Sequence, residues 1–237
     1  ALVGLAMALP LMYLIIRGIG ASSEAWELLF RLRTIQILGR SALLVVVVTG
    51  ASLLIAVPIA WLTTRTDMPF RRTLSVLAAL PLVVPSYVGA FLAISALGPK
   101  GLAQQMLSPI GVDRLPEIYG LPGAAITLTL LSYPYILLTV KAAIRNLDPS
   151  LDESARMLGH GPWSALYRLT LPQLKPSMAA GGLLVSLYTL ADFGAVSLMR
   201  YETFTWAIYQ QYQSAFDRSI AAVLSLVLVL LAVMILL

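Results

Sequence analysis

Tyr188 and Asp192 stand four residues apart in a stretch that is otherwise apolar, so on a helix they share one face. Phenol and carboxylate oxygens are the donors a hard cation prefers. Asp192 is the one acid well inside a predicted span, and a carboxylate in hydrocarbon is costly unless it faces a polar path or a partner. It reads as a path residue. It reads equally as a group near the outer interface, a cap on the backbone before Gly194, or the partner of Arg200. Ser86, Tyr87, Ser132, Tyr133 and Tyr135 gather around Pro81, Pro85 and Pro134, each proline removing a helical hydrogen bond and kinking its helix. Broken helices with hydroxyls line translocation routes, which makes Ser86, Tyr87 and Tyr133 further candidates for the path. The alternative is that the kinks aid packing and the tyrosines form an interfacial belt.

Other chemistry is sparse. His160, the single histidine, sits between two glycines and reads as a solvated turn residue. With no cysteine there is neither a disulfide nor a thiolate metal site, and no metal site is assigned. The pattern G-x-x-x-x-G-K-[ST] is absent, so ATP hydrolysis is not expected of this chain and no cofactor is assigned to it. G-x-S-x-G and H-E-x-x-H are also missing, which leaves an intramembrane hydrolase without a nucleophile or a metal.

The elements that must position these residues are apolar. Of the 237 residues 59% are hydrophobic and 11% charged, with a mean hydropathy of +0.87. That is an integral membrane protein. Its net charge of +5 lies in short loops, where anionic lipid headgroups and not nucleic acid are the expected partner. Crossing about 30 Å of hydrocarbon takes roughly 20 apolar residues. Six segments fit, at about 1–16, 41–64, 73–98, 121–144, 178–199 and 220–237. With no period-two alternation they are helices, and the fold class is an all-α bundle in a single transmembrane domain. The opening run also resembles a signal-peptide core but lacks a basic leader, so it is read as a first span. Beginning at Ala1 and stopping at Leu237 inside apolar runs, the chain reads as trimmed at both ends. Trp26, Leu28, Leu29, Phe30 and Leu32, between Arg17 and Arg40, suggest an amphipathic helix on the membrane surface.

The 16 basic residues divide equally between the two sides, with Arg65, Arg71, Arg72, Lys141, Arg145, Arg156, Arg168 and Lys175 on one of them. Four of the other eight fall in the stretch from Arg17 to Arg40. Setting that stretch aside leaves eight against four and places the first side in the cytoplasm. The longest polar connection, 145–177, lies there. Asp148, Pro149, Asp152 and Glu153 suit a helix start, and Gly159 suits a left-handed stop. Pro162 opens a second helix whose Trp163, Leu166 and Tyr167 share a face, and Pro172 closes it. Such a hairpin with apolar knobs either docks a partner in water or folds against the protein's own helix ends.

Glu153-Ser154-Ala155, three residues, Gly159, nine residues, then Leu169-Thr170-Leu171-Pro172 resembles the "EAA" loop of permease subunits of binding-protein-dependent ABC importers. The departures are Ser154 for the second alanine and Leu169 for isoleucine. The resemblance implies a six-helix type I permease half in a bacterial inner membrane, with Glu153, Ala155, Gly159, Trp163, Leu166, Leu171 and Pro172 coupling it to an ATPase. It further implies two ATPase subunits carrying ATP and Mg, a second permease half, fused or separate, and an external binding protein. The stretch from Leu190 to Ser219 is similar to the first half of the fused permeases of ferric-iron importers. Permeases for thiamine and for phosphonate- or sulfate-type anions share much of that pattern, and a proton-coupled secondary transporter working through Asp192 is the alternative from another class.

Overall fold

A computed structural model describes residues 2–99, 101–111, 116–148, 157, 161, 164, 166–214 and 218–236. The described residues are helical throughout, with short connections and no strand among them. In order, α1 is Leu2–Ile19, α2 Ser23–Glu27, α3 Leu32–Arg65, α4 Arg71–Ala79, α5 Ser86–Leu97 and α6 Leu102–Leu107. Then follow α7 Leu121–Asn146, α8 Leu171–Ala191, α9 Gly194–Leu198, α10 Phe204–Ser214 and α11 Ser219–Leu236.

Helices α3, α7 and α11 are each long and apolar enough to cross a membrane. Helix α7 is the hub: 72% of its apolar window is buried, against 33% for α3 and 28% for α11. Packed on α7 are α3 and α8, and α1 lies against α11. The core between the three central helices is built from Leu44, Val48, Ala56, Ala60, Leu128, Ile136, Val140 and Val185. Small residues let these backbones approach where no water drives helices together. A smaller cluster of Ile37, Phe204 and Leu224 closes the opposite end of α3.

Proline decides where the third span breaks. After α4 a 3-10 stretch, Leu80–Val83, ends at Val84 and Pro85, and α5 restarts with the Gly89 amide donating to the Pro85 carbonyl at 2.9 Å. Together 71–83 and 86–107 are long and apolar enough to cross a membrane, as a broken span or a re-entrant loop, with a bend of 105° at the break. Pro134 behaves differently, because α7 runs unbroken through it in the buried centre of the bundle. The expected interruption at Pro134 is therefore absent.

Three boundaries differ from those expected. The segment from Arg17 to Arg40 is not one surface helix: α2 and a 3-10 turn at Leu28–Phe30 precede α3, which starts at Leu32. At 34 residues α3 is about 50 Å long, so its first turns project beyond the hydrocarbon. Pro172 does not close a helix. A π-helical stretch, Leu166–Thr170, runs into α8, whose first turn holds Pro172 where a missing N–H costs nothing. Finally, α8 ends at Ala191 rather than continuing to Met199.

Arg65 ties the α3 terminus to that of α7. Its guanidinium Nη2 donates to the carbonyls of Ile144 at 3.2 Å and Leu147 at 3.0 Å, the first of which also accepts from the Leu147 amide at 3.3 Å.

Candidate functional site

Helix α8 stops because Asp192 turns extended, at φ −66° and ψ 133°. The Asp192 carboxylate then reaches forward. Its Oδ1 accepts from the amides of Ala195 at 2.9 Å and Val196 at 3.3 Å, which caps the five-residue helix α9. Backbone groups freed by the interruption are thereby satisfied inside the protein, as an apolar surrounding demands. Thr205 completes the turn by donating its hydroxyl to the Asp192 carbonyl at 2.7 Å. Asp192 itself is 8% exposed.

The start of α5 meets this turn. Ser86, its first residue, lies beside both Asp192 and Tyr188. The Tyr188 ring lies against that of Tyr135 on α7, with centroids 5.6 Å apart at 46°. Gly194 sits over the start of α5 so closely that a Cβ there would fall 2.7 Å from Ser86 Oγ and 2.9 Å from the Tyr87 amide nitrogen. Only glycine permits that approach.

Of the five candidate path residues, Ser86, Tyr188 and Asp192 come together. Tyr87 is adjacent in the chain, but its side chain is 56% exposed. Tyr133 is buried, and it borders a different cavity, of about 660 Å3, with Leu80, Val84 and Leu131 around it. Arg200 lies over the Tyr119 ring, 4.9 Å from its centroid, in a left-handed backbone conformation with φ 54°. Chemically the cluster offers two hydroxyls and one carboxylate, and one carboxylate oxygen is already engaged by two backbone amides. No group of three or more His, Cys, Asp or Glu that could hold a metal ion occurs among the described residues.

Sequence reasoning passed over Thr205 and the packing of Gly194 on α5. The available signal was the run Asp192-Phe193-Gly194, an acid and a glycine that can respectively cap and turn a chain. Of the expected coupling residues, Glu153, Ala155, Gly159 and Trp163 lie outside the described residues. Leu166 opens the π-helical stretch, Leu171 packs on the central core, and Pro172 is in the first turn of α8.

Residues 49–237, four-fifths of the chain, match the family described as "Binding-protein-dependent transport system inner membrane component". The chain belongs to that family. This inner-membrane component is 34% identical over 235 residues to the Fe(3+)-transport system permease protein FbpB 2 of Haemophilus influenzae, covering 99% of this chain and 43% of that protein. It thus spans less than half of that relative's length. It is 30% identical over 209 residues to the molybdenum transport system permease protein ModB of Escherichia coli, covering 81% of this chain and 88% of that one. The sulfate transport system permease protein CysT of Escherichia coli is 30% identical over 137 residues, 58% of this chain and 48% of that one. Among solved structures, a bacterial alginate ABC transporter in complex with an alginate pentasaccharide-bound periplasmic protein superposes with a TM-score of 0.77 at 20% identity, covering 99% of this chain and 88% of that one. The MetNI methionine ABC transporter in an inward-facing conformation gives 0.69 at 17% identity, covering 91% and 94%. These two show a shared fold. The inner-membrane component therefore has the type I permease fold, all-helical and built from apolar membrane helices.

Proposed function

We propose that this chain is one permease half of an ATP-driven importer that receives ferric iron from an external binding protein and passes it to the cytoplasm. The observation that carries the reading is the 34% identity to an Fe(3+)-transport permease along 99% of this chain, a longer and closer match than those to the molybdenum and sulfate permeases. Two ATPase subunits supply hydrolysis, since this chain has no phosphate-binding G-x-x-x-x-G-K-[ST] loop of its own. The 145–177 insert faces the cytoplasm and docks on them, and a second permease half completes the path. Arg65, Arg71 and Arg145 at the ends of α3, α4 and α7 support that orientation, because basic residues favour the cytoplasmic side.

Of the readings open for Asp192, the hydrogen bonds to Ala195 and Val196 favour the cap. The carboxylate holds the joint between α8 and α9, and Tyr188 and Ser86 hold α5 against it. Asparagine caps as well as aspartate does, so Asp192→Asn keeps the joint and removes the charge. Normal uptake in Asp192→Asn is the expected result. A fall in uptake at unchanged stability would put the charge on the path instead.

The test of the whole reading is radiolabelled uptake in vesicles carrying the permease, its ATPase and its binding protein. ATP-dependent entry of ferric iron, with none of molybdate, sulfate or thiamine, is expected. Uptake of an oxyanion in place of iron would refute the substrate, and uptake driven by a proton gradient without ATP would refute the class.

A further inference from the structure

Arg71, Arg72, Lys141 and Arg145 converge on one cavity of about 840 Å3 between α3, α4 and α7, and none of the residues lining it is acidic. Hydroxyls stand at the same end. Lys141 Nζ donates to Ser75 Oγ, which holds the ammonium at the rim. Thr64 Oγ1 is buried and makes no hydrogen bond among the described residues. The remaining wall is hydrocarbon, and Val76, Val83 and Leu138 are exposed there at 64%, 80% and 48%. The arginines belong to the first turn of α4 and the last turn of α7. The basic end therefore lies at a helix-end level, where a bilayer has its headgroups, and the apolar wall lies deeper.

A free oxyanion would fill the basic end and leave the hydrocarbon wall wet. A zwitterionic lipid would cover the wall and leave the cations without net countercharge. One ligand satisfies both. We propose that this cavity seats a single anionic phospholipid, its phosphate among the four cations and an acyl chain along α4 and the 3-10 stretch that follows. Basic pockets between membrane helices bind such headgroups by charge, at about 1 kcal/mol for each Lys or Arg near the surface, which is roughly fivefold in affinity. The inference is independent of the cargo.

Native mass spectrometry of the purified transporter, titrated with phosphatidylglycerol or phosphatidylcholine, tests it. Wild type is expected to hold one phosphatidylglycerol in clear preference to phosphatidylcholine. Arg71→Gln with Arg72→Gln removes two exposed cations and should weaken phosphatidylglycerol about twenty-five-fold while leaving phosphatidylcholine unchanged. Arg17→Gln, outside the cavity, should alter neither. Equal binding of the two lipids by wild type would overturn the proposal, as would an undiminished preference in the double variant. Displacement of the lipid by an equimolar amount of inorganic phosphate would overturn it in favour of a small-anion site. A single Ser75→Cys, in this cysteine-free chain, carrying a thiol-attached photo-cross-linker that captures a second permease half would overturn it in favour of a protein interface.

Discussion

Gly181 and Gly182 are neighbours in α8, yet the bundle should tolerate alanine at only one of them. A Cβ on Gly181 would lie 2.8 Å from Ile136 Cα and 2.5 Å from Thr139 Oγ1. Neither can step aside cheaply: Ile136 Cα is backbone of the central helix, and the Thr139 hydroxyl is bonded to the carbonyls of Tyr135 at 3.2 Å and Ile136 at 3.0 Å. Overpacking of this kind costs about 1–3 kcal/mol. A Cβ on Gly182 meets only Thr49 Cγ2, at 3.5 Å, an ordinary contact. There alanine adds helix propensity, about 0.8–1 kcal/mol in favour of the folded state. Gly181→Ala gains the same propensity, so the two variants should differ by the overpacking cost alone, roughly 1–3 kcal/mol, with Gly181→Ala the less stable. Thermal unfolding of detergent-solubilised protein, followed by size-exclusion recovery after heating, should rank Gly182→Ala at or above wild type and Gly181→Ala below it. If Gly181→Ala survives as well as wild type, or Gly182→Ala fails first, the close crossing of α7 and α8 is not what holds this bundle.

Three further outcomes are expected. Arg65→Gln leaves the carbonyls of Ile144 and Leu147 without their guanidinium partner and should lower stability by about 1–3 kcal/mol in the same heating assay. Ser41→Ala strands the buried amide of Phe204, which donates to Ser41 Oγ at 2.9 Å, and should cost about 1–3 kcal/mol, whereas Ser41→Thr keeps the acceptor and should cost less. In the insert, Glu153→Lys reverses the charge suited to a helix start, and Gly159→Val strains the expected left-handed stop by about 1 kcal/mol or more. Both should leave the permease inserted but reduce co-purification of the ATPase, and full co-purification would remove these residues from the coupling surface.

The long apolar elements were legible because hydrocarbon thickness sets their length: the segment expected at 121–144 is α7, Leu121–Asn146, and that at 220–237 is α11, Ser219–Leu236. Pro85 marked the break in the third span for a local reason, the loss of a backbone donor. Pro134 shows the limit of that signal, since burial in the centre of α7 overrides a single missing bond. The end of α8 was hidden for a different reason. Leu190, Ala191 and Phe193 continue the apolar pattern across it, and the stop depends on where the Asp192 carboxylate finds amides. The meeting of Ser86 with Asp192 and Gly194 was not legible at all, because α5 and α8 are far apart in the chain and hydropathy carries no record of which helices cross. Types of candidate residue were readable, but their grouping was not: Tyr133 and Tyr135 are two residues apart, and only Tyr135 reaches Tyr188.

The two interruptions of the bundle, after Val84 and after Ala191, occupy one place, because Gly194 rests on Ser86 and the Tyr87 amide without room for a methyl group. Two half-helices that bear on each other at such distances form a linkage with one pivot. A tilt of α5 about Pro85 cannot proceed without displacing α9, and through the Asp192 carboxylate that displacement pulls on the end of α8. The same contact thus joins the start of α5 to the end of a 21-residue helix whose first turn holds Leu171 and Pro172, so the break made by Pro85 and the stop made by Asp192 are one joint shared by two spans distant in the chain.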